Sequence, residues 1–284
     1  MKRAIFIAFV IVGALVFLLA CDKSTDPDPE PETFDPPTNL TYLTYQDSVK
    51  LAWNASPDAG DDGFAGYLVY RNDNLGFAGM TEEQLAGLSP MLVTDVNATM
   101  VGLASSIKHF FAVRAIKVEG DDTTLSSLSN AVDTSPTIWF SDTIWEVEGG
   151  AEALSAIDFR NQRVLPMTGA NLTFIDIYLG VDESNDLALK SPRLFPGWAE
   201  GGRETYIKLL GVPEEGKGLA TYNTPGTVGT TEMVILGQPQ RIYAIKAGSN
   251  YGKLYLVSFV GGAPPTRGIY FEAAFQDVED YARF

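Results

Sequence analysis

Phe64-Ala-Gly-Tyr-Leu-Val-Tyr-Arg71 and Phe110-Phe-Ala-Val-Arg-Ala-Ile116 decide how this chain is read. In the second run Phe111, Val113 and Ala115 fall on one face with period two, the signature of a pleated strand with one side buried. Ser48-Val-Lys-Leu-Ala-Trp53 repeats the pattern with Val49, Leu51 and Trp53. Gly, Pro, Asn and Asp punctuate these runs, so residues 36–136 read as an all-β sandwich. Asp58-Ala-Gly-Asp-Asp-Gly63 supplies turn residues in preference to an ion site. The long connection 72–90 contains Met80-Thr-Glu-Glu-Gln-Leu-Ala-Gly87, a short helical turn that Thr81 would cap and whose N-terminus Glu82 and Glu83 suit. Its length makes it a candidate variable surface.

The alternation continues to the C-terminus. Ile138-Trp-Phe-Ser-Asp-Thr-Ile-Trp145, Leu172-Thr-Phe-Ile-Asp-Ile-Tyr-Leu179, Thr205-Tyr-Ile-Lys-Leu-Leu210 and Met233-Val-Ile-Leu236 predict strands, with Trp139 and Trp145 in the core. Arg241-Ile-Tyr-Ala-Ile-Lys246 and Lys253-Leu-Tyr-Leu-Val-Ser-Phe259 predict a hairpin across Ala247-Gly-Ser-Asn-Tyr-Gly252, and Gly268-Ile-Tyr-Phe-Glu-Ala-Ala-Phe-Gln276 a last strand. No segment sustains a helical period, so 137–284 is expected to be a second antiparallel β-rich domain in an all-β chain.

Several pieces of the first half match a family at their spacing. Pro36-Pro37 with Leu40, Trp53, Gly66-Tyr-Leu-Val-Tyr-Arg71, Leu103 ahead of His109-x-Phe111-x-Val113-x-Ala115, and Ser127-Leu-Ser-Asn-Ala-Val132 resemble the fibronectin type III module, an immunoglobulin-like sandwich. The resemblance covers residues 35–136 and implies a spacer or docking module without chemistry of its own. His109 stands where the family has the tyrosine that pins a corner. A structural imidazole donating to a backbone carbonyl is the expected replacement.

The N-terminus reads as an address. Lys2 and Arg3 precede an apolar run over residues 4–20 that ends in Leu18-Leu19-Ala20-Cys21. That run is at the short edge of a membrane span and ends on the small residue a signal peptidase needs. Leu-Leu-Ala-Cys resembles the lipobox of bacterial lipoproteins, which implies a signal peptide over 1–20, cleavage before Cys21 and acylation of Cys21. Several acyl chains exceed the two signals that stable anchoring requires. Residues 21–34 then alternate acid with proline, an extended, self-repelling tether. At about 3.1 Å per residue it would hold a domain on the order of 40 Å from the lipid. Asp26, Asp28, Glu30 and Glu32 belong to this solvated stretch, where nothing fixes a calcium geometry.

Composition removes whole classes of function. The 284 residues carry a formal net charge of −16, which argues against nucleic acid as a partner. One Cys and one His exclude a disulfide framework, a Cys/His zinc site and a bis-histidine haem or metal site. Gly211-Val-Pro-Glu-Glu-Gly-Lys-Gly218 lacks the hydroxyl residue of a phosphate loop, places two glutamates inside it and loses an N–H at Pro213. Gly248-Ser-Asn-Tyr-Gly252 misplaces its serine for a nucleophile elbow, and no histidine follows it. Asp182 with Asp186 and Glu214 with Glu215 read as a solvated face.

One constellation remains. Leu194-Phe-Pro-Gly-Trp-Ala-Glu-Gly-Gly-Arg203 is a loop in which prolines and glycines would hold Trp198 off the sheet, flanked by Glu200 and Arg203. An exposed indole there suits a sugar ring or a protein partner. The alternative is that Trp198 folds back as a plug over the end of the domain. The hairpin at 241–259 is similar to one in envelope lipoproteins of the HmuY haem-binding type, but the histidine pair through which those proteins hold haem has no counterpart here. The expectation is therefore a lipid-anchored cell-envelope protein of binding or adhesion type, without catalysis or cofactor. Its partners would be membrane lipid through Cys21 and a glycan or envelope protein. A purely structural envelope component and a carboxylate-dependent hydrolase are the rival readings.

Overall fold

Alternation along the first half becomes pleat and burial. The computed structural model describes residues 34–149, 153–222 and 226–283; the leader, Cys21 and all of the tether but Phe34 lie outside them. The elements of this half are β1 (Thr38–Tyr45), β2 (Ser48–Asn54), β3 (Phe64–Asn72), α1 (Glu82–Ala86), β4 (Met91–Val93), β5 (Asn97–Val101), β6 (His109–Glu119), β7 (Asp122–Leu125) and β8 (Val132–Thr134). A sheet ordered β1-β2-β5 faces one ordered β4-β3-β6-β7, with β8 also on β6, and the pairings are antiparallel. Val49, Leu51 and Trp53 from one sheet meet Tyr67, Val69, Phe111, Val113 and Ala115 from the other. Trp53 packs edge-on against Tyr67 at 5.5 Å.

The 72–90 connection is not a loose surface. Thr81 Oγ1 accepts from Gln84 N (3.3 Å) while Gln84 Oε1 accepts from Thr81 N (2.8 Å), a capping box that starts α1. Leu85 then packs with Tyr70, Phe77 and Ala112 in a second cluster on the outer face of β3 and β6. Buried Arg114 closes the contact with a two-pronged donation to Glu82, at 2.7 and 3.0 Å. His109 is fully buried and donates Nε2 to Ala104 O at 2.9 Å, the corner pin expected of it. Its Nδ1 also lies 2.7 Å from Asp73, which Arg71 grips from the other side. The Arg71 hydrogen bonds, followed by those of His109, hold the Asp73 carboxyl below its ordinary value.

The second half contributes β9 (Ile138–Trp145), β10 (Leu154–Asp158), β11 (Arg163–Pro166), β12 (Ile177–Val181), β13 (Leu187–Lys190), β14 (Thr205–Gly211), β15 (Met233–Ile235), β16 (Arg241–Ala247), β17 (Asn250–Gly261) and β18 (Arg267–Gln276). They make two five-stranded antiparallel sheets, β11-β10-β12-β13-β15 and β14-β16-β17-β18-β9. Ile157, Ile177, Leu179 and Leu189 of the first meet Ile144, Ile207, Leu254, Leu256, Ile269 and Phe271 of the second. The chain is all-β, as the periodicity predicts, and the expected hairpin is present with a tighter turn, Ala247 pairing directly with Asn250.

Three expectations need correction. Ile138, Phe140 and Ile144 take the inner face of β9, so Trp139 and Trp145 lie on the opposite face. Trp145 is 36% exposed, and Trp139 rests against Tyr45 of the first half at 5.7 Å. The strand expected over 172–179 begins only at Ile177, because 172–174 form a turn closed by Phe174 N donating to Asn171 O (2.9 Å). Strands β10, β11 and β13 escaped the periodicity reading: β13 is buried along most of its length and β10 past its first residue, so neither alternates, and β11 is short.

The two halves meet through Trp139 and Tyr45 and through the C-terminal tail. Tyr281 is buried, donates Oη to Asp133 Oδ2 (3.0 Å) and lies under Lys108 Nζ at 4.5 Å. Arg283 pairs with the same carboxylate at 2.7 Å. Burial and Asp133 both push the Tyr281 hydroxyl upward. On the outer face of β17, Lys253 is buried beneath the 3-10 turn Gly218–Ala220 and donates to the carbonyls of Leu219 and Tyr222; burial pulls its amine down to about 7. Among the described residues no helix is long and apolar enough to cross a membrane.

Candidate functional site

A cleft of about 450 Å³ opens at one end of the second sandwich. Three turns surround it. The first joins β10 to β11 and is built by Asp158, whose carboxylate accepts from Asn161 N (3.2 Å), Asn161 Nδ2 (2.7 Å) and Arg163 Nε (2.9 Å). This Asx geometry lets Gln162 adopt a φ of +53°. The second is the 172–174 turn, which presents Phe174 at 43% exposure with the Arg163 guanidinium 5.0 Å from its ring. The third is the β16–β17 turn at Gly248 and Ser249, tied to the tail by Asp280 N donating to Ser249 O (2.7 Å).

Arginines supply two walls. Arg160 donates Nη2 to Asn250 Oδ1 (3.0 Å), has Nε 3.7 Å from Asp277, and lies 6.0 Å from the ring of Phe275. Phe275 is stacked on Phe159 and forms part of the lining. Arg203 pairs with Asp176 and donates Nη2 to Thr173 O (2.9 Å). Asp176 is almost wholly buried, and burial pushes its carboxyl up to about 6 against the opposing pull of Arg203 and the Phe159 N–H. Asp158 and Asp176 are thus both occupied, one holding a turn and the other holding Arg203 in the cleft wall. The free surface is a mixture of guanidinium, amide, hydroxyl and carboxylate groups beside one exposed phenyl ring, that of Phe174.

The expected trio separates. Arg203 lines the cleft, whereas Trp198 and Glu200 do not. Trp198 is half-buried, meets Phe195 edge-on at 5.0 Å and joins a cluster with Ala156, Met167, Ile175 and Tyr178. Gly201 and Gly202 both donate N–H to Trp198 O, at 3.2 and 2.7 Å. A Cβ at Gly202 would come within 2.7 Å of Arg193 N, so glycine lets the loop turn back onto its neighbour instead of projecting the indole. Glu200 is exposed beside it. Periodicity put Phe174 inside an expected strand and Asn250 in the hairpin turn and passed over Arg160; none was marked as a site residue, because each stands at a turn or strand end, where alternation is silent. The rejected motifs are turn chemistry: Asp182 Oδ1 accepts from Ser184 N (2.9 Å) and Asp186 N (2.8 Å), and Glu214 pairs with Lys217. Among the described residues no group of three or more His, Cys, Asp or Glu could hold a metal ion.

The chain matches no family model and no curated protein. Solved structures that overlap it include three of differing coverage. A DUF4466 family protein from Parabacteroides merdae is 9% identical, with 88% of this chain and 100% of that one covered and a TM-score of 0.36. A myokine structure is 16% identical over 37% of this chain and 99% of its own, with a TM-score of 0.26. Titin kinase with its flanking domains is 11% identical over 88% of this chain and 38% of its own, with a TM-score of 0.27. Overlaps this loose transfer neither topology nor function.

Proposed function

We propose that this protein is a non-catalytic ligand-binding component of a bacterial cell envelope. It is anchored through acylated Cys21 and raised on the acidic tether. The first sandwich, a fibronectin type III-like module, serves as a spacer and the second sandwich presents the binding cleft. The observation that carries the reading is the cleft bounded by Arg160, Arg203, Asn161, Asn250 and Phe174. Its polar side chains are held by neighbours fixed in the fold, which lowers the ordering cost of binding. The lipobox-like Leu18-Leu19-Ala20-Cys21 and the net charge of −16 support the address and the absence of a nucleic-acid partner.

Two measurements test it. Metabolic palmitate labelling should mark the wild-type protein and fail to mark Cys21→Ser; an unlabelled wild type with its leader intact refutes the anchor. Crosslinking in envelope preparations, followed by recovery of the full chain, should capture a ligand or partner that Arg160→Glu loses. Capture of a stoichiometric protein neighbour that is indifferent to Arg160→Glu would favour a purely structural component.

A further inference from the structure

We infer that the ligand of the cleft beside Arg160 and Arg203 is a neutral carbohydrate, recognised through its hydroxyls and through the C–H face of a sugar ring. The inference rests on the cleft being the ligand site and adds the chemistry it selects. Asn161, Thr173 and Ser249 each offer a donor and an acceptor, and they stand beside donor-only Arg160 and acceptor-only Glu279, while buried Asn250 is already held by Arg160 and the Gln276 carbonyl. A sugar hydroxyl donates and accepts at once, so it satisfies such a mixed wall. An apolar ligand would bury these groups without hydrogen-bond partners, which is unfavourable.

Charge excludes the ionic alternatives. Both guanidiniums already face a carboxylate, Arg203 that of Asp176 and Arg160 that of Asp277, 3.7 Å from its Nε. A phosphate, sulfate or uronate would also meet Glu279 and Asp158 in the same lining. A cation would meet the two arginines. The cleft also carries one exposed aromatic ring, Phe174 at the rim, with Arg163 over one of its faces and buried Phe275 behind the wall. A single exposed ring beside amides and hydroxyls accepts the two faces of a pyranose, one apolar and one polar. The volume of about 450 Å³ falls within the range of about 300–1,000 Å³ typical of small-molecule sites, which fits the end of a glycan.

The test presents the full chain in detergent to immobilised neutral, uronate-containing and sulfated oligosaccharides, followed by calorimetry on those retained. Neutral glycans should bind. Phe174→Ala should weaken them about tenfold or more, the equivalent of about 1.4 kcal/mol. Trp198→Ala should leave the affinity within about twofold. Raising salt from about 0.05 to about 0.5 M should also leave it within about twofold, because no ion pair forms across the site. Retention confined to uronate or sulfated glycans, steep salt dependence, or an unchanged affinity in Phe174→Ala overturns the inference. If no glycan binds but Arg160→Glu still abolishes envelope capture, the carbohydrate is wrong and the cleft stands. If capture is also indifferent to Arg160→Glu, both are wrong.

Discussion

Asp176→Asn should change how stability depends on pH, and the buried carboxyl sets the size of the change. Asp176 is 1% exposed, and burial raises its carboxyl from an ordinary 3.8 to about 6. Below pH 4 the carboxyl is protonated in folded and unfolded chains alike and has no pH-dependent effect. As pH rises, the unfolded chain ionises first, so the folded state loses stability between about pH 4 and about pH 6. At 1.36 kcal/mol for each tenfold change in proton affinity, the loss is complete by pH 7 and amounts to about 3 kcal/mol. The substituted amide keeps an oxygen for the Phe159 N–H and cannot ionise, so the variant lacks this fall. Other carboxylates, Asp73 and Glu82 among them, move the opposite way and act equally in both proteins. The informative quantity is therefore the stability of Asp176→Asn minus that of wild type, from urea unfolding followed by tryptophan fluorescence at pH 4.5, 5.5 and 7. It should grow by about 2 kcal/mol across that range, because about 1 kcal/mol of the loss is already present at pH 4.5, and the relative midpoint shift should be about 0.7 M for a chain of this size. Parallel pH profiles would refute the claim that an unfavourably buried carboxylate holds Arg203 in place.

Lys253→Met tests the other strongly displaced group. Burial lowers the wild-type amine to about 7, so wild-type stability should rise from about pH 7 to pH 10 as the unfolded chain alone keeps its proton, and the variant should lack that rise in the same unfolding assay. Tyr281→Phe removes the hydrogen bond to Asp133 that joins the tail to the first half, and should lower stability by about 1.5–3 kcal/mol in urea titration. Trp198→Ala should lower the unfolding midpoint through lost contacts with Phe195 and Tyr178 while ligand capture stays intact; lost capture at unchanged stability would restore the indole to the binding surface.

The corner at His109 shows where linear pattern and spatial proximity part. The resemblance to the fibronectin type III module implies that His109, in place of that family's tyrosine, pins the chain by a carbonyl, and Ala104 O is that carbonyl. Its second partner, Asp73, is 36 positions away at the root of the inserted segment, where no periodicity links the two. Trp198 shows the same limit from the other side. Glycines and prolines mark a loop, but whether a loop stands out or folds back depends on the surface beneath it. Here an apolar patch of Tyr178, Ile175 and Met167 draws the indole down.

Side-chain alternation is a local property carried by neighbouring residues, so the all-β character, a sandwich followed by a second β-rich stretch, and the 241–259 hairpin can be read along the chain. The acidic balance, the scarcity of histidine and cysteine, and the apolar run over residues 4–20 ahead of Cys21 are equally local or summed properties. The cleft is neither. Its walls come from residues 158–161, 173–174, 203, 247–250, 275 and 279, which antiparallel pairing and sheet packing bring to one end of the sandwich. Pairing across long stretches of chain is decided by the joint burial of both sheets, and the positions of Phe174, Arg160 and Arg203 follow from that closure.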